Sequence, residues 1–301
     1  MIVSTAPHLR DEDSVPRMMF SVVLSLIPAV VAAVYFFRLH ALAIILTCVI
    51  TALVAEVLAQ KARGMAVTLW DGSALLTGLL LALTLPPSLP LWMAALGSIF
   101  AIIVGKQVFG GLGNNPFNPA LVGRAFLMAS FPVYMTTWWA PFDTVSATTP
   151  LVSSGVVSYS QLYLGFIPGS LGETSALALL FGALYLFYRE YIDYRIPAGI
   201  FGTVILLSLL TGQDPIFHLL SGGLLLGALY MATDPVTSPL TKKGRWIFGI
   251  GVGALTIIIR LWGGMPEGVS YAILIMNGFA PLISRYTRPR IFGHGEVRAN
   301  G

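Results

Sequence analysis

Ten long apolar stretches dominate this chain and leave few ways for it to fold. They cover residues 18–37, 41–59, 69–85, 91–109, 119–134, 174–190, 197–212, 216–232, 245–262 and 269–284. A helix needs about 20 apolar residues to cross a bilayer. Only 10% of the residues are charged, whereas soluble domains carry about 25%, so the chain cannot cover a water-facing surface. These features predict an all-α integral membrane protein with about ten spanning helices.

The basic residues predict how this bundle is oriented. If the N-terminus is cytoplasmic, 13 of the 17 Lys and Arg residues fall in inner segments, and the outer loops hold only Arg38. This bias follows the positive-inside rule, so both termini are expected in the cytoplasm and the number of spans is expected to be even. The other three, Lys106, Arg124 and Arg260, fall within apolar stretches. Because the inner basic residues are dispersed over several loops, they speak against nucleic-acid binding.

A weak internal repeat indicates how the helices are arranged. Residues 78–83 (GLLLAL) resemble residues 223–228 (GLLLGA), and proline and serine follow each run. The runs lie five spans apart, so two inverted five-helix repeats are expected, an architecture common in transporters. A single membrane domain over residues 1–301 would then consist of repeat 1 (18–134), an outer loop (135–173), repeat 2 (174–284) and a cytoplasmic tail (285–301). Chance similarity between Leu- and Gly-rich helices is the alternative interpretation.

That outer loop contains the first candidate site. Residues 135–173 include no Lys or Arg, and a long connection in a compact protein is often functional. Within the loop, residues 143–151 read DTVSATTPL and combine one carboxylate, Asp143, with several hydroxyl groups. From composition alone, the segment is interpreted most simply as a turn in which Asp143 is a cap and Pro150 restricts Thr149.

The same segment resembles the flavinylation site of the RnfD/NqrB family, in which FMN is joined to a threonine hydroxyl through a phosphoester. Asp143 and Ser146 match the leading positions of the family pattern, and Thr149 matches the acceptor. The sequence departs from the pattern at Thr148, where the family usually has alanine, so Thr148 is a second candidate acceptor. The resemblance implies covalent FMN on Thr149, attached by a separate flavin transferase that acts outside.

A second motif joins the fourth and fifth spans and reads KQVFGGLGNNPFNPA over residues 106–120. Lys106 and Arg124 are costly in lipid, so they are expected to face the bundle or its cytoplasmic rim. The stretch resembles a hallmark hairpin of the same family, which implies that Lys106, Asn115, Asn118 and Arg124 lie near the flavin or the ion pathway. Snorkelling cations in a well-packed hairpin are the alternative interpretation.

Three carboxylates are candidates for an ion pathway. Asp71 opens the third span within DGSAL and Asp234 closes the eighth within ATDPVTSP, and both segments resemble those of the family. Glu56 lies near the end of the second span, where a carboxylate is a functional candidate by default. Structural alternatives are a helix cap for Asp71 and local pairing of Glu56 with Lys61.

Taken over nearly the whole chain, the resemblance implies a subunit in a prokaryotic inner or plasma membrane. It would relay electrons through covalent FMN in a complex that couples electron flow between ferredoxin and NAD to Na⁺ or H⁺ transport. Expected partners are a second flavinylated subunit, iron–sulfur subunits and an NADH-binding subunit. A non-covalent riboflavin is a further expectation, without assigned residues. The short segment before the first span favours the RnfD branch.

Two other functional classes compete with this interpretation. Inverted five-helix halves also resemble urea and ammonium channels, which would transport a solute without redox chemistry. A passive membrane anchor for enzyme subunits would need fewer buried polar groups. No metal site or catalytic residue is expected in this chain. Cys48 is its only cysteine, so the chain alone cannot hold a thiolate-ligated iron–sulfur cluster.

Overall fold

A computed structural model of the chain describes residues 13–142, 146–147, 149, 151, 158–263 and 267–289. Helices dominate these residues, as the apolar stretches predict. The helices are α1 (Val15–Ala62), α2 (Ser73–Leu83), α3 (Leu91–Ile102), α4 (Pro119–Ser130), α5 (Pro132–Met135), α6 (Tyr159–Leu164), α7 (Ala176–Tyr188), α8 (Arg195–Leu210), α9 (Pro215–Leu220), α10 (Leu224–Leu226), α11 (Lys242–Trp262) and α12 (Val269–Tyr286). Leu69–Asp71 is a 3₁₀ turn, and Ile103–Gln107 and Gly227–Met231 are π-helical. In the described part of the chain, β1 (Trp138–Trp139) and β2 (Ser146–Ala147) form one antiparallel pair.

α1 consists of two helices that reverse direction at a single residue. Arg38 interrupts the helix with φ 55° and ψ −142°. Met19 in the first half lines the same cavity as Lys106, and Lys106 bonds to Glu56 in the second half. Both ends of α1 therefore lie close together, so its halves run antiparallel. They correspond to the separate spans predicted at 18–37 and 41–59.

Helix length distinguishes α1 and α11 from the other helices. Among the described residues, these two are long and apolar enough to cross a membrane by length and composition. Span 69–85 contains only α2, whose 11 residues extend about 16 Å. Span 216–232 is divided after Leu220. Gly222 and Gly223, with φ 69° and 65°, account for the division because side chains disfavour these backbone angles.

α2 and residues 224–231 form the centre of the molecule. Nearly every residue of both segments is buried. The carbonyl oxygen of Leu83, at the end of α2, accepts a hydrogen bond from the N–H of Gly172 at 2.6 Å. A helix C-terminus leaves such carbonyls without an intrahelical partner. Part of the predicted outer loop therefore lies in the interior, where it supplies a hydrogen-bond donor to the C-terminal end of α2.

Helices in the two halves pack in a corresponding order. In the first half, α3 packs on α1 and α4, and in the second half, α11 packs on α8 and α12. α7 joins the halves by crossing α1, where Gly182 lies against the backbone of Ser25. A similar close approach brings Gly199 of α8 against Gly249 of α11.

Contacts between loops divide the molecule into two ends. The inner end is defined by the contacts Asp13–Tyr191, Arg63–Gln107, Asp193–Arg245 and Thr241–Thr287. The outer end is defined by the contacts Phe36–Phe142, His40–Trp139 and Tyr159–Asp214. Each of these contacts joins segments that the basic residues place on the same side of the membrane.

Candidate functional site

The loop with the predicted flavin acceptor is fastened at the outer end. Strand pairing places Ser146 of β2 opposite Trp139 of β1. Thr149 follows, and only 5% of its surface is exposed. Leu151 lies against Gly222, at the break between α9 and residues 224–231. Contacts before and after Thr149 in the sequence therefore hold the segment 146–151 in place.

Two of the predicted loop residues, Asp143 and Thr148, lie outside the described residues, and only the backbone of Ser146 is described. The choice between Thr148 and Thr149 as acceptor therefore stays a prediction. Thr149 is nevertheless buried, although a transferase that acts outside must reach its hydroxyl. Strand pairing before it and the seating of Leu151 after it draw the segment inward.

An aromatic cluster joins residues of this loop to α1 at the outer end. Phe142 packs edge-on against Tyr35 and Phe36, with ring centroids 5.3 Å apart in both pairs. Phe166 adds a further edge contact to Phe36 at 5.4 Å. Tyr35, Phe142 and Phe166 are exposed. Exposed aromatic rings are common at membrane interfaces, and they also provide faces on which another planar ring can stack.

A polar cavity at the inner end collects most of the other predicted site residues. Its volume is about 80 Å³, enough for several water molecules. Its polar side chains are those of Ser73, Thr77, Lys106, Asn115, Asn118, Tyr191, Thr233 and Asp234. They come from both halves of the chain. Lys106, Asn115 and Asn118 were predicted from one motif and Asp234 from another, and the fold brings the two motifs together.

Lys106 and Glu56 form a buried ion pair at this cavity. The Nζ of Lys106 lies 2.6 and 2.8 Å from the carboxylate oxygens of Glu56, and each residue is 1% exposed. Nζ also donates to Ser73 at 2.6 Å, and Gln107 donates to Glu56 at 3.0 Å. The expected alternative, local pairing of Glu56 with Lys61, is wrong because Glu56 points inward.

The π-helical segment explains how two neighbouring polar side chains both point inward. The N–H of Val108 donates to the carbonyl of Ile103, five residues earlier, at 2.9 Å. A π turn of this kind shifts the helical register locally and is frequent at functional sites. Lys106 and Gln107 are consequently both buried.

The two asparagines of the hairpin differ in how they are bonded. The Oδ1 of Asn118 caps α4 by accepting from Ala120 and Leu121 at 3.1 and 3.4 Å, and its Nδ2 donates to the carbonyl of Met231 at 3.4 Å. Asn118 thereby joins the two halves. The Nδ2 of Asn115 donates to Phe117 at 3.1 Å, while its buried Oδ1 has no hydrogen-bond partner within the described part of the chain.

The two predicted aspartates occupy different positions. Asp71 accepts from the N–H and hydroxyl of Ser73 at 2.8 and 2.5 Å. It therefore satisfies the first N–H of α2, in agreement with the alternative interpretation of Asp71 as a helix cap. Asp234 lines the cavity and accepts from Val236 and Thr237 at 3.1 and 3.2 Å. Of the two, Asp234 is the one that lines the cavity.

Arg124 faces the bundle, as predicted, but lies away from the cavity. It forms a buried ion pair with Glu267, which precedes α12. Glu173 lines a small pocket with Arg124 and interacts electrostatically with both Arg124 and Arg260. The sequence reasoning assigned no role to Glu173, Glu267 or Arg260. For Arg260, charge within an apolar segment was the available signal, whereas Glu173 and Glu267 lie between the predicted spans and gave no such signal.

Comparison with known proteins identifies the family. The family model for the NQR2, RnfD, RnfE family matches residues 2–293. The chain belongs to this family. Its match to the NQR2, RnfD, RnfE family confirms the resemblance seen in the separate motifs, and the family includes subunits of membrane complexes.

Three relatives within the NQR2, RnfD, RnfE family show how closely the chain resembles its D subunits. It is 47% identical to the D subunit of the proton-translocating ferredoxin:NAD(+) oxidoreductase complex of Clostridium ljungdahlii, over 97% of this chain and 96% of that protein. It is also 47% identical to the D subunit of the Na(+)-translocating complex of Acetobacterium woodii, over 99% and 97%. Identity to the D subunit of the ion-translocating oxidoreductase complex of Escherichia coli is 38%, over 97% and 98%.

Proposed function

We propose that this chain is the D-type membrane subunit of an ion-translocating ferredoxin:NAD⁺ oxidoreductase complex and relays electrons through FMN joined to Thr149 by a phosphoester. It contributes to an oxidoreductase without a catalytic residue of its own. The coupled ion is Na⁺ or H⁺, since the two most similar of the relatives above are named for different ions. The observation that carries the proposal is the acceptor pattern ending at Thr149, on a loop fixed at the outer end.

Thr149 offers the attachment group for such a cofactor. A threonine hydroxyl is the group that a phosphoester requires, and the loop is held by strand pairing and by Leu151. The exposed rings of Tyr35, Phe142 and Phe166 offer an apolar, aromatic surface at the same, outer end of the molecule. FMN itself supplies the capacity to carry one or two electrons, while the protein supplies position and surroundings.

We further propose that ten helical segments form two inverted repeats, with both termini cytoplasmic and the flavin loop outside, in a prokaryotic inner or plasma membrane. The corresponding packing of α3 and α11 supports the repeat. The separation of inner and outer contacts supports the orientation. The repeats would cover residues 18–134 and 174–284 within one membrane domain.

The inner cavity is the proposed start of the ion pathway. Asp234 and the buried Oδ1 of Asn115 provide oxygen atoms there, and hard cations are bound in proteins by oxygen atoms of this kind. The Glu56–Lys106 pair supplies fixed, compensated charge beside them. Asp71 is the weaker candidate for this pathway, because its carboxylate already accepts two hydrogen bonds from Ser73.

The proposed partners follow from the proposed complex. Electrons would reach or leave this chain through a second flavinylated subunit, iron–sulfur subunits and an NADH-binding subunit. A flavin transferase would attach FMN at the outer side. Since the relatives above are named as oxidoreductase subunits, redox function is favoured over a urea- or ammonium-type channel.

A denaturing gel viewed under ultraviolet light tests the flavin attachment. The chain is produced with a flavin transferase and purified in detergent, as wild type, Thr149→Ala and Thr148→Ala. We expect a fluorescent band in the wild type and in Thr148→Ala, and none in Thr149→Ala, because only a covalently attached flavin stays with the chain after denaturation.

Intact-mass measurement provides the control, since the adduct must add the mass of FMN less water. Loss of the band only in Thr148→Ala would show that Thr148, and not Thr149, is the acceptor. A wild-type chain without the adduct, together with solute flux in liposomes, would instead favour the channel class.

A further inference from the structure

Arg260, near the end of α11, makes an unusual set of hydrogen bonds. Its Nη1 donates to the carbonyl of His218 at 2.6 Å, and its Nη2 donates to the carbonyls of Ser221 and Gly222 at 2.8 and 3.2 Å. Its Nε donates to the carbonyl of Glu267 at 3.3 Å. One guanidinium on α11 therefore binds main-chain oxygens of two other segments, residues 218–222 and Glu267.

Three of these carbonyls belong to the break before residues 224–231. α9 ends at Leu220, so the carbonyls around its C-terminus lack intrahelical partners and carry partial negative charge. The planar fork of an arginine can bind several such oxygens at once, which a lysine cannot do in the same way. Arg260 therefore fixes the geometry of the break.

Leu151 of the flavin loop rests on this break. Gly222 has φ 69°, and an added Cβ there would collide with Cδ1 of Leu151 and approach the Nη2 of Arg260 to 2.8 Å. Leu151 lies two residues after Thr149, the proposed acceptor. The glycine that receives the loop is thus the same residue whose carbonyl Arg260 holds.

Charge neutralisation is a different explanation for Arg260, because Glu173 and Glu267 lie nearby. Glu267 already forms an ion pair with Arg124, and Glu173 interacts electrostatically with Arg124 as well as with Arg260. All side-chain hydrogen bonds of Arg260 among the described residues go to main-chain carbonyls. Arg260 is therefore placed to hold the backbone in position and not to neutralise a carboxylate.

We propose that Arg260 is a positioning residue that holds the α9 break in the shape that seats Leu151, and thereby fixes the loop segment around Thr149. The seating of the loop is a property of the chain alone. Its effect on FMN rests on the proposed function. Arg260 acts through the backbone and touches neither reactant nor cofactor in this scheme.

Cysteine labelling measures the seating of the loop without any flavin. Leu151→Cys is introduced in the full chain produced without the transferase, and its reaction rate with a maleimide is followed in detergent. The native Cys48 is fully buried, so it adds little background. We expect Arg260→Gln to raise the labelling rate about tenfold, as the loss of a charge-assisted hydrogen bond would. With Arg260→Lys, the labelling rate at position 151 should lie between those of the parent and of Arg260→Gln.

Gly249→Ala is the matched control, because its added Cβ would press on the carbonyl of Ile196 between α8 and α11. That change perturbs α11 without touching the carbonyls that Arg260 binds, so labelling at position 151 should stay as in the parent. Gly222→Ala provides a second route if Arg260→Gln does not fold. It should also raise labelling, because a Cβ at φ 69° strains the break and would approach the Nη2 of Arg260 to 2.8 Å.

The yield of covalent flavin per folded chain is the second measurement, made at limiting transferase with residue 151 as leucine. Arg260→Gln should change that yield, whereas Gly249→Ala should not. Unchanged labelling in both Arg260→Gln and Gly222→Ala would overturn the positioning role. A wild-type chain that protects position 151 but never acquires FMN would contradict the proposed function and leave the positioning role standing.

Discussion

At the scale of single residues, the ion pair between Glu56 and Lys106 is the most consequential contact at the inner end. It joins the second half of α1 to the π-helical segment, and both side chains are almost fully enclosed. Charges taken out of water in this way depend on each other, because a lone buried charge has no compensation. The pair therefore fixes the cavity wall while adding no net charge.

Replacing one member of this pair should cost more stability than replacing both. We expect Glu56→Gln to destabilise the protein by about 3 kcal/mol, since it leaves the Lys106 ammonium buried without a carboxylate. The double variant Glu56→Gln/Lys106→Met should lose less than Glu56→Gln alone, because no unpaired charge stays buried. Thermal unfolding in detergent, followed by a thiol-reactive dye or by circular dichroism, measures both. Additive losses would show that the two charges are independent.

The sequence predicts that Lys106 faces the bundle, because a lysine in an apolar segment is excluded from lipid. It does not predict the partner. Glu56 lies 50 positions away, and Lys61 competes for it in any local interpretation. Pairing depends on how α1 and α3 pack and on the π turn that redirects Lys106. Such tertiary choices leave no periodic signal in the sequence.

At the scale of secondary-structure elements, glycines determine how closely the helices approach. An added Cβ at Gly182 of α7 would collide with the carbonyl of Ser25 in α1 and approach the hydroxyl of Tyr230 to 2.5 Å. Gly202 of α8, by contrast, has no atom within 4 Å of the same position. The two glycines thus differ in packing while both lie inside helices.

This difference yields a matched pair of variants. Gly182→Ala should lower the melting temperature in detergent by several degrees, because α7 must move away from α1. Gly202→Ala should leave it equal or raise it, since alanine favours a helix over glycine by about 1 kcal/mol. Equal effects of the two substitutions would show that the α1–α7 contact does not set the packing.

Hydrophobic length predicts the position of most helices but fails where a segment is completed by another part of the chain. Residues 69–85 are apolar enough for a span, yet α2 ends at Leu83, shortly before Pro86 and Pro87, and Gly172 satisfies its terminal carbonyl. Residues 216–232 are equally apolar but divide at Gly222 and Gly223, and the carbonyl of Gly222 is bound by Arg260, 38 residues further on. In both cases a polar partner from a distant segment binds main-chain oxygens, which hydrophobic length does not reveal.

At the scale of the whole molecule, the chain is organised as two ends joined by helices. The basic residues predicted this division, and every inter-loop contact that defines an end respects it. The inner end contains the cavity with Lys106, Asn115 and Asp234. The outer end contains the proposed flavin loop. Electron carriage and ion entry would therefore begin on opposite sides of one protein chain.

Single cysteines at the two ends test this organisation in whole cells. Thr136→Cys at the outer end should react with a membrane-impermeant maleimide in intact cells, because residue 136 is exposed there. Lys243→Cys at the inner end, also exposed, should react only after the membrane is permeabilised. Reaction of both positions in intact cells, or the reverse order, would contradict the proposed orientation.

The enclosure of Thr149 has a consequence for how the protein matures. With 5% of its surface exposed, the side chain is out of reach of a modifying enzyme once the loop has settled. On the proposed function, FMN is added during a limited interval, after the segment has been exported and before Leu151 locks onto the bundle. Once FMN is attached, a loop held by strand pairing and by Leu151 would still limit the access of hydrolases to the linkage.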